Sequence, residues 1–149
     1  GLTHDERGYP VINAECQNIC VPRLVDKIKK NADKIIKYEE DQIDNAEVVV
    51  VSYGITSRVS IKAVQEARKK GIKVGTLRLV VVWPFPEKRI HDLARKIKAF
   101  VVPEINYGQI IYEVERCAAG QAPAFHVPHC GGWVHDPDDI LKVIKEAAK

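Results

Sequence analysis

Two short segments of the chain combine side chains that could hold a charged group. The first is residues 52–57, SYGITS, in which Gly54 is followed by the hydroxyls of Thr56 and Ser57. Backbone N–H groups at a helix N-terminus, together with hydroxyls, can hold a phosphate or a carboxylate. The segment has one glycine rather than a dinucleotide fingerprint, and it lacks the lysine of a P-loop. These absences favour an ordinary strand-to-helix turn capped by Thr56 and Ser57, with an anion site as the alternative.

The second segment, residues 103–109, reads PEINYGQ and places Glu104, Asn106 and Gln109 around Gly108. Carboxylate and amide groups directly after a buried strand suit a fixed hydrogen-bond network, a ligand or a subunit contact. Helix capping explains the same residues equally well, with Asn106 as N-cap and Gln109 reaching back in a capping box. The chain shows no Ser–His–Asp pattern, activated cysteine or recognisable carboxylate pair, so we assign no catalytic residue.

Histidines and cysteines near the C-terminus raise the question of a metal. Three histidines and a thiol fall within ten positions, namely His126, His129, Cys130 and His135. Their spacing matches no standard zinc module, and the Cys-x₃-Cys pair near the N-terminus does not match one either. The C-x₂-C runs that hold iron–sulfur clusters are absent. The spacing therefore favours unrelated loop histidines, and a metal stays the open alternative.

The elements that position these segments follow from the hydrophobic pattern. Residues 48–51 are four consecutive valines, which is typical of a strand covered on both faces. Further strands are predicted over 72–82, 100–102 and 124–127, and helices over 21–38, 58–70, 87–99, 109–117 and from 136 onward. The alternation predicts an α/β fold, a three-layer, doubly wound, mostly parallel sheet of about four to five strands. Both polar segments then lie at carboxyl ends of strands, where open α/β sheets usually bind ligands.

The N-terminal part carries a different pattern. Residues 1–20 have no clear period, and Gly8 and Pro10 interrupt them, so we predict an arm that enters from an upstream domain. The domain itself is then residues 21–149, with Pro22 in the first turn of its first helix. The chain begins with glycine and contains no methionine, and we interpret it as a processed or excised piece of a longer polypeptide.

The composition excludes several classes of function. With 149 residues, 46% of them hydrophobic and 29% charged, the chain is typical of one globular domain. The net charge is only +3 and basic residues alternate with acidic ones, so no nucleic acid is expected as a partner. No apolar run approaches the roughly 18 residues of a membrane span, and no membrane partner is expected. Four cysteines without a disulfide-framework spacing indicate the reducing cytoplasm.

Two large apolar side chains, Trp83 and Phe85, follow the predicted strand over 72–82. They either cover the edge of the sheet or form a docking patch for another chain or domain.

Three stretches together resemble one family: VVVVSYGITS, LRLVVVWPFPEKRI and, above all, VVPEINYGQI. They look like the second domain of the alpha subunit of 2-oxoacid:ferredoxin oxidoreductases, which is similar to the transketolase C-terminal domain. The resemblance covers essentially the whole chain, and residues 103–109 are its most specific part. The opening GLTHDERG resembles the 2-oxoglutarate-type branch, which favours 2-oxoglutarate over pyruvate as the substrate.

The resemblance implies oxidative decarboxylation of a 2-oxoacid to an acyl-coenzyme A, with reduction of ferredoxin. Thiamine diphosphate, coenzyme A and iron–sulfur clusters are expected in the whole complex, and none is expected to be bound by this domain alone. The implied partners are the missing first domain, a beta subunit and ferredoxin-like subunits. Because the family's catalytic parts lie outside this domain, none of its catalytic residues can be assigned here, and the isolated chain is expected to be inactive.

Within that resemblance the domain is expected to serve subunit assembly. The residues expected in a structural network or a subunit contact are Trp83, Phe85, Glu104, Asn106, Gly108 and Gln109. The turn at Gly54, Thr56 and Ser57 is the candidate site for an anion, such as part of coenzyme A.

Two alternatives stay open. The first is another thiamine-diphosphate enzyme of the transketolase type, which the E-x-N-x-G-Q pattern disfavours. The second is a stand-alone, non-enzymatic α/β module that binds a ligand or regulates another protein.

Overall fold

The computed structural model describes residues 2–149, and the chain divides into two compact units, one ending at Ile36 and one spanning Lys37–Lys149. The smaller unit contains helix α1, Ala14–Lys29, and the short helix α2, Ala32–Ile35. The side chain of Asn13 caps α1 by accepting a hydrogen bond from the N–H of Cys16 over 2.8 Å. Before α1, His4 and Pro10 form an isolated antiparallel bridge.

Two predictions about the N-terminal part were wrong. Residues 14–20, predicted to be an extended arm, are the beginning of α1, and Pro22 therefore lies inside that helix. The helix begins earlier because Asn13 supplies its cap, whereas the prediction placed Pro22 in the first turn. The predicted helix over 21–38 also continues too far, since α1 ends at Lys29. The existence of an upstream domain stays a prediction.

The larger unit alternates strands and helices in the predicted manner. Its strands are β1, Tyr38–Asp41; β2, Val48–Tyr53; β3, Val74–Leu79; β4, Ala99–Glu104; and β5, Ala124–Pro128. Its helices are α3, Gly54–Lys69; α4, Glu87–Ala94; α5, Ile110–Ala118; and α6, Pro137–Ala147. The strand order is β1-β3-β2-β4-β5, and every pair is parallel except β1 with β3. The predicted α/β fold with a mostly parallel sheet is confirmed.

The valines of β2 pack into two cores on opposite faces of the sheet. Val48 and Val50 belong to the core under α3 and α6, and Val49 and Val51 belong to the core under α4 and α5. Successive side chains of a strand alternate between faces, so a run of apolar residues indicates a strand with both faces buried. This three-layer arrangement places the carboxyl ends of β2, β3, β4 and β5 along one edge of the sheet, which we call the carboxyl edge.

Strand β1 was missed, because its sequence YEED was interpreted as the charged end of the first helix. Its residues have no hydrophobic period, and the strand is defined by its antiparallel pairing with β3. Ion pairs to distant arginines stabilise its carboxylates: Glu39 contacts Arg78 over 3.0 Å, and Glu40 contacts Arg89 over 2.6 Å.

The other differences concern the ends of elements. Strand β3 and helix α4 are shorter than predicted, and α3 begins at Gly54 rather than near residue 58. Strand β4 continues through Pro103 and Glu104, which were predicted to lie in the following loop. Pro103 is tolerated there because β2 pairs with β4 only as far as Val101, and the missing N–H of Pro103 interrupts no bond to β2.

None of the described helices has the length and the apolar composition that crossing a membrane requires.

Candidate functional site

Glu104, the last residue of β4, is the centre of a network of hydrogen bonds at the carboxyl edge. Glu104 is 0% exposed, although it carries a carboxylate. Its oxygens accept hydrogen bonds from three backbone N–H groups at the start of α5: from Gln109 over 3.3 Å, Ile110 over 2.9 Å and Ile111 over 3.0 Å. The first N–H groups of a helix have no partner inside the helix. Glu104 therefore caps α5 from the preceding strand and lies at the positive end of its dipole.

Two side chains complete the network around this carboxylate. The Tyr53 hydroxyl at the end of β2 donates to Glu104 Oε1 over 3.1 Å. Asn106 Nδ2 lies 3.1 Å from the Tyr53 hydroxyl oxygen and 3.4 Å from Glu104 Oε1, and it donates to both. Asn106 Oδ1 accepts the N–H of Gly108 over 2.8 Å, which fixes the loop between β4 and α5. The network therefore joins the ends of two neighbouring strands to a helix start.

The structure brings Glu104, Asn106 and Gly108 together, but it corrects the predicted capping. Asn106 is not the N-cap of α5. The N-cap residue is Gln109, and its side chain makes no capping hydrogen bond to the described residues. The capping box does not form because α5 begins only at Ile110, so Asn106 lies before the helix and binds the N–H of Gly108, whereas Glu104 binds the first N–H groups of α5. Tyr53 was not predicted, and only the adjacency of β2 and β4 in the sheet would have indicated it.

The environment of Glu104 favours its charged form. Burial acts to raise the pKa of its carboxyl, but the backbone N–H donors and the Asn106 amide outweigh burial, and the net pKa is lower than the ordinary 4.5. His126 on β5 places Nε2 at 3.6 Å from Glu104 Oε2. Burial lowers the pKa of His126 from 6.5, against the opposing attraction of Glu104. His126 is thus neutral at pH 7, and this contact is not an ion pair at that pH.

These two shifts predict how stability depends on pH. The pKa of His126 is lower in the folded protein, so the unfolded chain takes up a proton first as the pH falls below 6.5, and stability decreases. The pKa of Glu104 is also lowered, so its contribution is complete above pH 4.5 and is lost as the pH falls through the folded value. We expect the urea midpoint to fall as the pH is lowered through each of these two ranges. His126→Gln should reduce the dependence of the midpoint on pH in the range below pH 6.5, and Glu104→Gln should reduce it in the range below pH 4.5. If the change of the urea midpoint with pH were the same in a variant as in the parent chain, the replaced residue would not be the cause of the pH dependence in that range.

The turn after β2 differs from its prediction. Thr56 lies in the first turn of α3, where its hydroxyl donates to the carbonyl of Tyr53 over 2.7 Å and also lies 3.4 Å from the N–H of Tyr53. Ser57 is only 7% exposed, and its hydroxyl has no hydrogen-bond partner among residues 2–149. Thr56 therefore takes part in capping, because it is the third residue of α3 and its hydroxyl accepts the N–H of the N-cap residue Tyr53. The expectation that Ser57 caps the helix is wrong, because the helix already begins at Gly54.

Gly54 adopts a left-handed backbone, with φ of +54°, directly between β2 and α3. A Cβ there would meet no atom within 4 Å, so any effect of substitution reports the backbone alone. We expect Gly54→Ala to lower the free energy of unfolding by about 1–2 kcal/mol, because residues with a Cβ disfavour this conformation. Urea unfolding measures it, and Gly54→Asn is the matched control, since asparagine visits this region more readily. Equal effects of alanine and asparagine would argue against a conformational cause.

The histidines near the C-terminus lie around the end of β5. His135 Nε2 is 2.7 Å from the carbonyl oxygen of Val127, and the rings of His129 and His135 are 5.2 Å apart. Cys130 donates from Sγ to the hydroxyl of Tyr107 over 3.4 Å. In residues 2–149 no three His, Cys, Asp or Glu side chains are placed to hold a metal ion together.

The two apolar residues after β3 have different environments. Trp83 is 58% exposed, whereas Phe85 is 5% exposed and packs in the core under α4 and α5. Of the two alternatives left open for Phe85, its burial favours packing against the sheet over a docking patch. Tyr107 and Trp133 are further exposed aromatic residues at the carboxyl edge that the sequence did not single out.

Comparison with known proteins found one matching family and several similar proteins. The profile of the family described as "Pyruvate:ferredoxin oxidoreductase core domain II" matches residues 46–140. The chain is 47% identical to the 2-oxoglutarate synthase subunit KorA of Methanocaldococcus jannaschii over 146 residues, which are 97% of this chain and 38% of that protein. It is 43% identical to KorA of Methanothermobacter marburgensis over 145 residues, 97% of this chain and 39% of that protein. The chain thus spans about two fifths of the length of these relatives.

Two solved structures share the fold. The first is the 2-oxoglutarate:ferredoxin oxidoreductase from Magnetococcus marinus with 2-oxoglutarate, coenzyme A and succinyl-CoA bound. Its TM-score to this chain is 0.76 and the sequences are 23% identical, over 99% of this chain and 26% of that one. The second is a split-gene transketolase, with a TM-score of 0.62 at 15% identity over 74% of this chain and 41% of that one. At these identities the two structures support the fold alone.

Proposed function

The chain belongs to the pyruvate:ferredoxin oxidoreductase core domain II family, and from this premise we propose that it is that domain of the alpha-type subunit of a 2-oxoglutarate:ferredoxin oxidoreductase. The observation that carries the proposal is the 47% identity to a 2-oxoglutarate synthase subunit across 97% of the chain. Its counterpart in M. marburgensis has 43% identity over the same share. The whole enzyme would decarboxylate 2-oxoglutarate oxidatively, form succinyl-coenzyme A and reduce ferredoxin in the cytoplasm.

In this proposal the cofactors belong to the complex and not to this domain alone. Thiamine diphosphate would supply the decarboxylation chemistry, and iron–sulfur clusters would carry the electrons. The partners are the remaining part of the alpha-type subunit, a beta subunit and ferredoxin-like subunits. Relatives are about two and a half times as long as the matched region, which is consistent with a further domain in the same subunit.

The domain's own contribution is a rigid surface for assembly. Glu104 and Asn106 hold the loop after β4 and the start of α5 through five hydrogen bonds, four to backbone N–H groups and one to each other. Tyr107, at the tip of that loop, is therefore exposed on a fixed backbone. Exposed aromatic residues on fixed backbones are favourable contact residues, because little conformational entropy is lost on binding. Trp83 is a second contact residue of this surface, whereas Gly108 and Gln109 support the loop from within.

The experiment is an activity assay on the assembled enzyme. The complete alpha-type subunit containing this domain is co-expressed with its beta subunit, and reduction of ferredoxin is followed with 2-oxoglutarate and coenzyme A. We expect reduction that needs both compounds and is faster with 2-oxoglutarate than with pyruvate, and none from the 149-residue chain alone. A complex that assembles but reduces no ferredoxin with any 2-oxoacid would overturn the proposal.

A further inference from the structure

We propose that the carboxyl edge is one uncharged contact face, and that the part of the alpha-type subunit outside this chain packs permanently against it. The occupant is named on the basis of the proposed function, whereas the face is described from its own residues. It extends the contact surface of Tyr107 and Trp83 to all four segments that follow the parallel strands. These segments, which we call the neutral face, are residues 54–57, 80–86, 105–109 and 129–135.

The four segments share an absence of charged side chains. Their sequences, GITS, VVVWPFP, INYGQ and HCGGWVH, contain no Lys, Arg, Asp or Glu, although 29% of the chain is charged. Charged residues follow shortly after each segment, at Arg58, Glu87, Glu113 and Asp136. A centre that is poor in charges inside a polar border is the usual arrangement of a protein–protein interface.

The opposite edge of the same sheet has a different composition. Charged residues occur in the segments that lead into β2, β3 and β4: Asp44 and Glu47, Lys70 and Lys73, and Arg95, Lys96 and Lys98. The segment that leads into β5, residues 119–123, has none. The absence of charge is therefore not a general property of the connections in this domain, and it extends to all four segments only at the carboxyl edge.

Large apolar side chains are exposed on the same segments. Within Lys37–Lys149 nine such side chains are exposed, and seven of them lie in the neutral face, among them Val82, Trp83, Tyr107 and Trp133. Both tryptophans of the chain are included, and Trp133 is 79% exposed. Single exposed apolar residues are ordinary, but a concentration of them in one area indicates an interaction surface.

Hydrogen bonds and packing fix the backbone that carries these side chains. Cys130 Sγ donates to the Tyr107 hydroxyl over 3.4 Å, which joins the segment after β5 to the segment after β4. The ring of Tyr112 packs over Gly108, where a Cβ would come within 2.9 Å of it. His135, which is buried, contacts the end of β5 through Nε2. A face that is fixed in advance loses little conformational entropy when it is covered.

The absence of charge also indicates the kind of partner that the face fits. Complementary charges steer separate molecules towards each other and raise the rate at which they associate. The neutral face lacks such charges, which favours a partner that is already held nearby in the same polypeptide. A short tether raises the effective concentration of a partner to about the millimolar range, so no steering is needed. More than half of the length of each KorA relative lies outside the matched region, and that length can supply the tethered partner.

The test measures how fast N-ethylmaleimide alkylates Cys130, whose side chain is exposed in the neutral face. Mass spectrometry of peptides follows this cysteine in the 149-residue chain and in the complete alpha-type subunit purified without its beta subunit. We expect alkylation to be at least about tenfold slower in the complete subunit, because the reagent then needs a local opening of the contact. In the 149-residue chain the rate should not depend on protein concentration.

Two lysine variants show whether the protection arises at this face. Trp133→Lys introduces a charge into the neutral face, and burying an unpaired charge is unfavourable. We therefore expect it to abolish the difference between the complete subunit and the 149-residue chain that carries the same change. Ile61→Lys is the matched control, because Ile61 is exposed on α3 outside the face, and it should leave Cys130 protected. Both variants should keep the urea midpoint of the 149-residue chain.

Four results would overturn the proposal. The first is an equal rate of alkylation in the 149-residue chain and the complete subunit. The second is protection that begins only when the beta subunit is added, since that subunit would then be the occupant. The third is alkylation of the 149-residue chain that slows as its concentration rises, which would make a second copy the occupant. The fourth is protection that persists equally in Trp133→Lys and Ile61→Lys. Ferredoxin reduction is measured separately, so a failure of the proposed function remains distinguishable from each of these.

Discussion

Replacing Glu104 by alanine is expected to lower the free energy of unfolding by about 4 kcal/mol, because it leaves several buried hydrogen-bond donors without an acceptor, each at a cost of about 1–3 kcal/mol. The substitution leaves three N–H groups at the start of α5 and the Tyr53 hydroxyl without their acceptor, and the Asn106 amide keeps only its bond to the Tyr53 oxygen. Because Glu104 is completely buried, water cannot easily replace the carboxylate. The loss should therefore exceed that of any exposed carboxylate in the chain.

Urea unfolding followed by circular dichroism measures this effect. Glu104→Gln keeps the shape of the side chain but turns one acceptor into a donor, and it should fall between the parent chain and the alanine variant. The matched control is Glu66→Ala, because Glu66 lies on the surface of α3 in an ion pair with Lys69. A loss for Glu104→Ala no larger than for Glu66→Ala would show that the network does not stabilise the fold.

Replacing Phe100 by alanine is expected to lower the free energy of unfolding by about 4 kcal/mol, through lost burial and the cavity left behind. Phe100 is fully buried in β4, an interior strand of the sheet, and belongs to the core under α4 and α5. In the sheet it lies between Val49 of β2 and Ala124 of β5. The surrounding backbone is therefore held on both sides and cannot collapse easily into the space.

The same measurement tests this prediction with a second phenylalanine as control. Phe125 lies on the edge strand β5 and is only partly buried, so Phe125→Ala should have a clearly smaller effect. Phe100→Leu should recover part of the loss, since it restores most of the apolar volume. If Phe125→Ala were as destabilising as Phe100→Ala, the position of Phe100 on an interior strand would not be the cause.

The parts of the fold that were predictable have signals local in the sequence. The four valines of residues 48–51 indicated a strand buried on both faces, and β2 is such a strand. Asp136 before Pro137 indicated the start of α6, and the Asp136 side chain accepts the N–H of Asp138 over 2.9 Å. In both cases neighbouring residues contain the whole physical cause, so no knowledge of the sheet order was needed.

The parts that were not predictable depend on residues distant in the sequence. Strand β1 is polar and exists through its pairing with β3, so no period in YEED could indicate it. Glu104 was recognised as important, but its partner Tyr53 follows only from the adjacency of β2 and β4. Phe85 and Trp83 are two positions apart outside any regular element, and only the path of the chain places one inside and the other outside.

The hydrogen bonds of Glu104 also differ in the chain entropy that their formation requires. Its bonds to the N–H groups of α5 close loops of 5, 6 and 7 residues, whereas the bond from Tyr53 closes a loop of 51 residues. Closing the longer loop is less favourable by about 2 kcal/mol of chain entropy when the rest of the sheet is unformed. The cap of α5 is therefore a property of the β4–α5 segment itself, while the tyrosine bond depends on the assembled sheet and responds to its integrity.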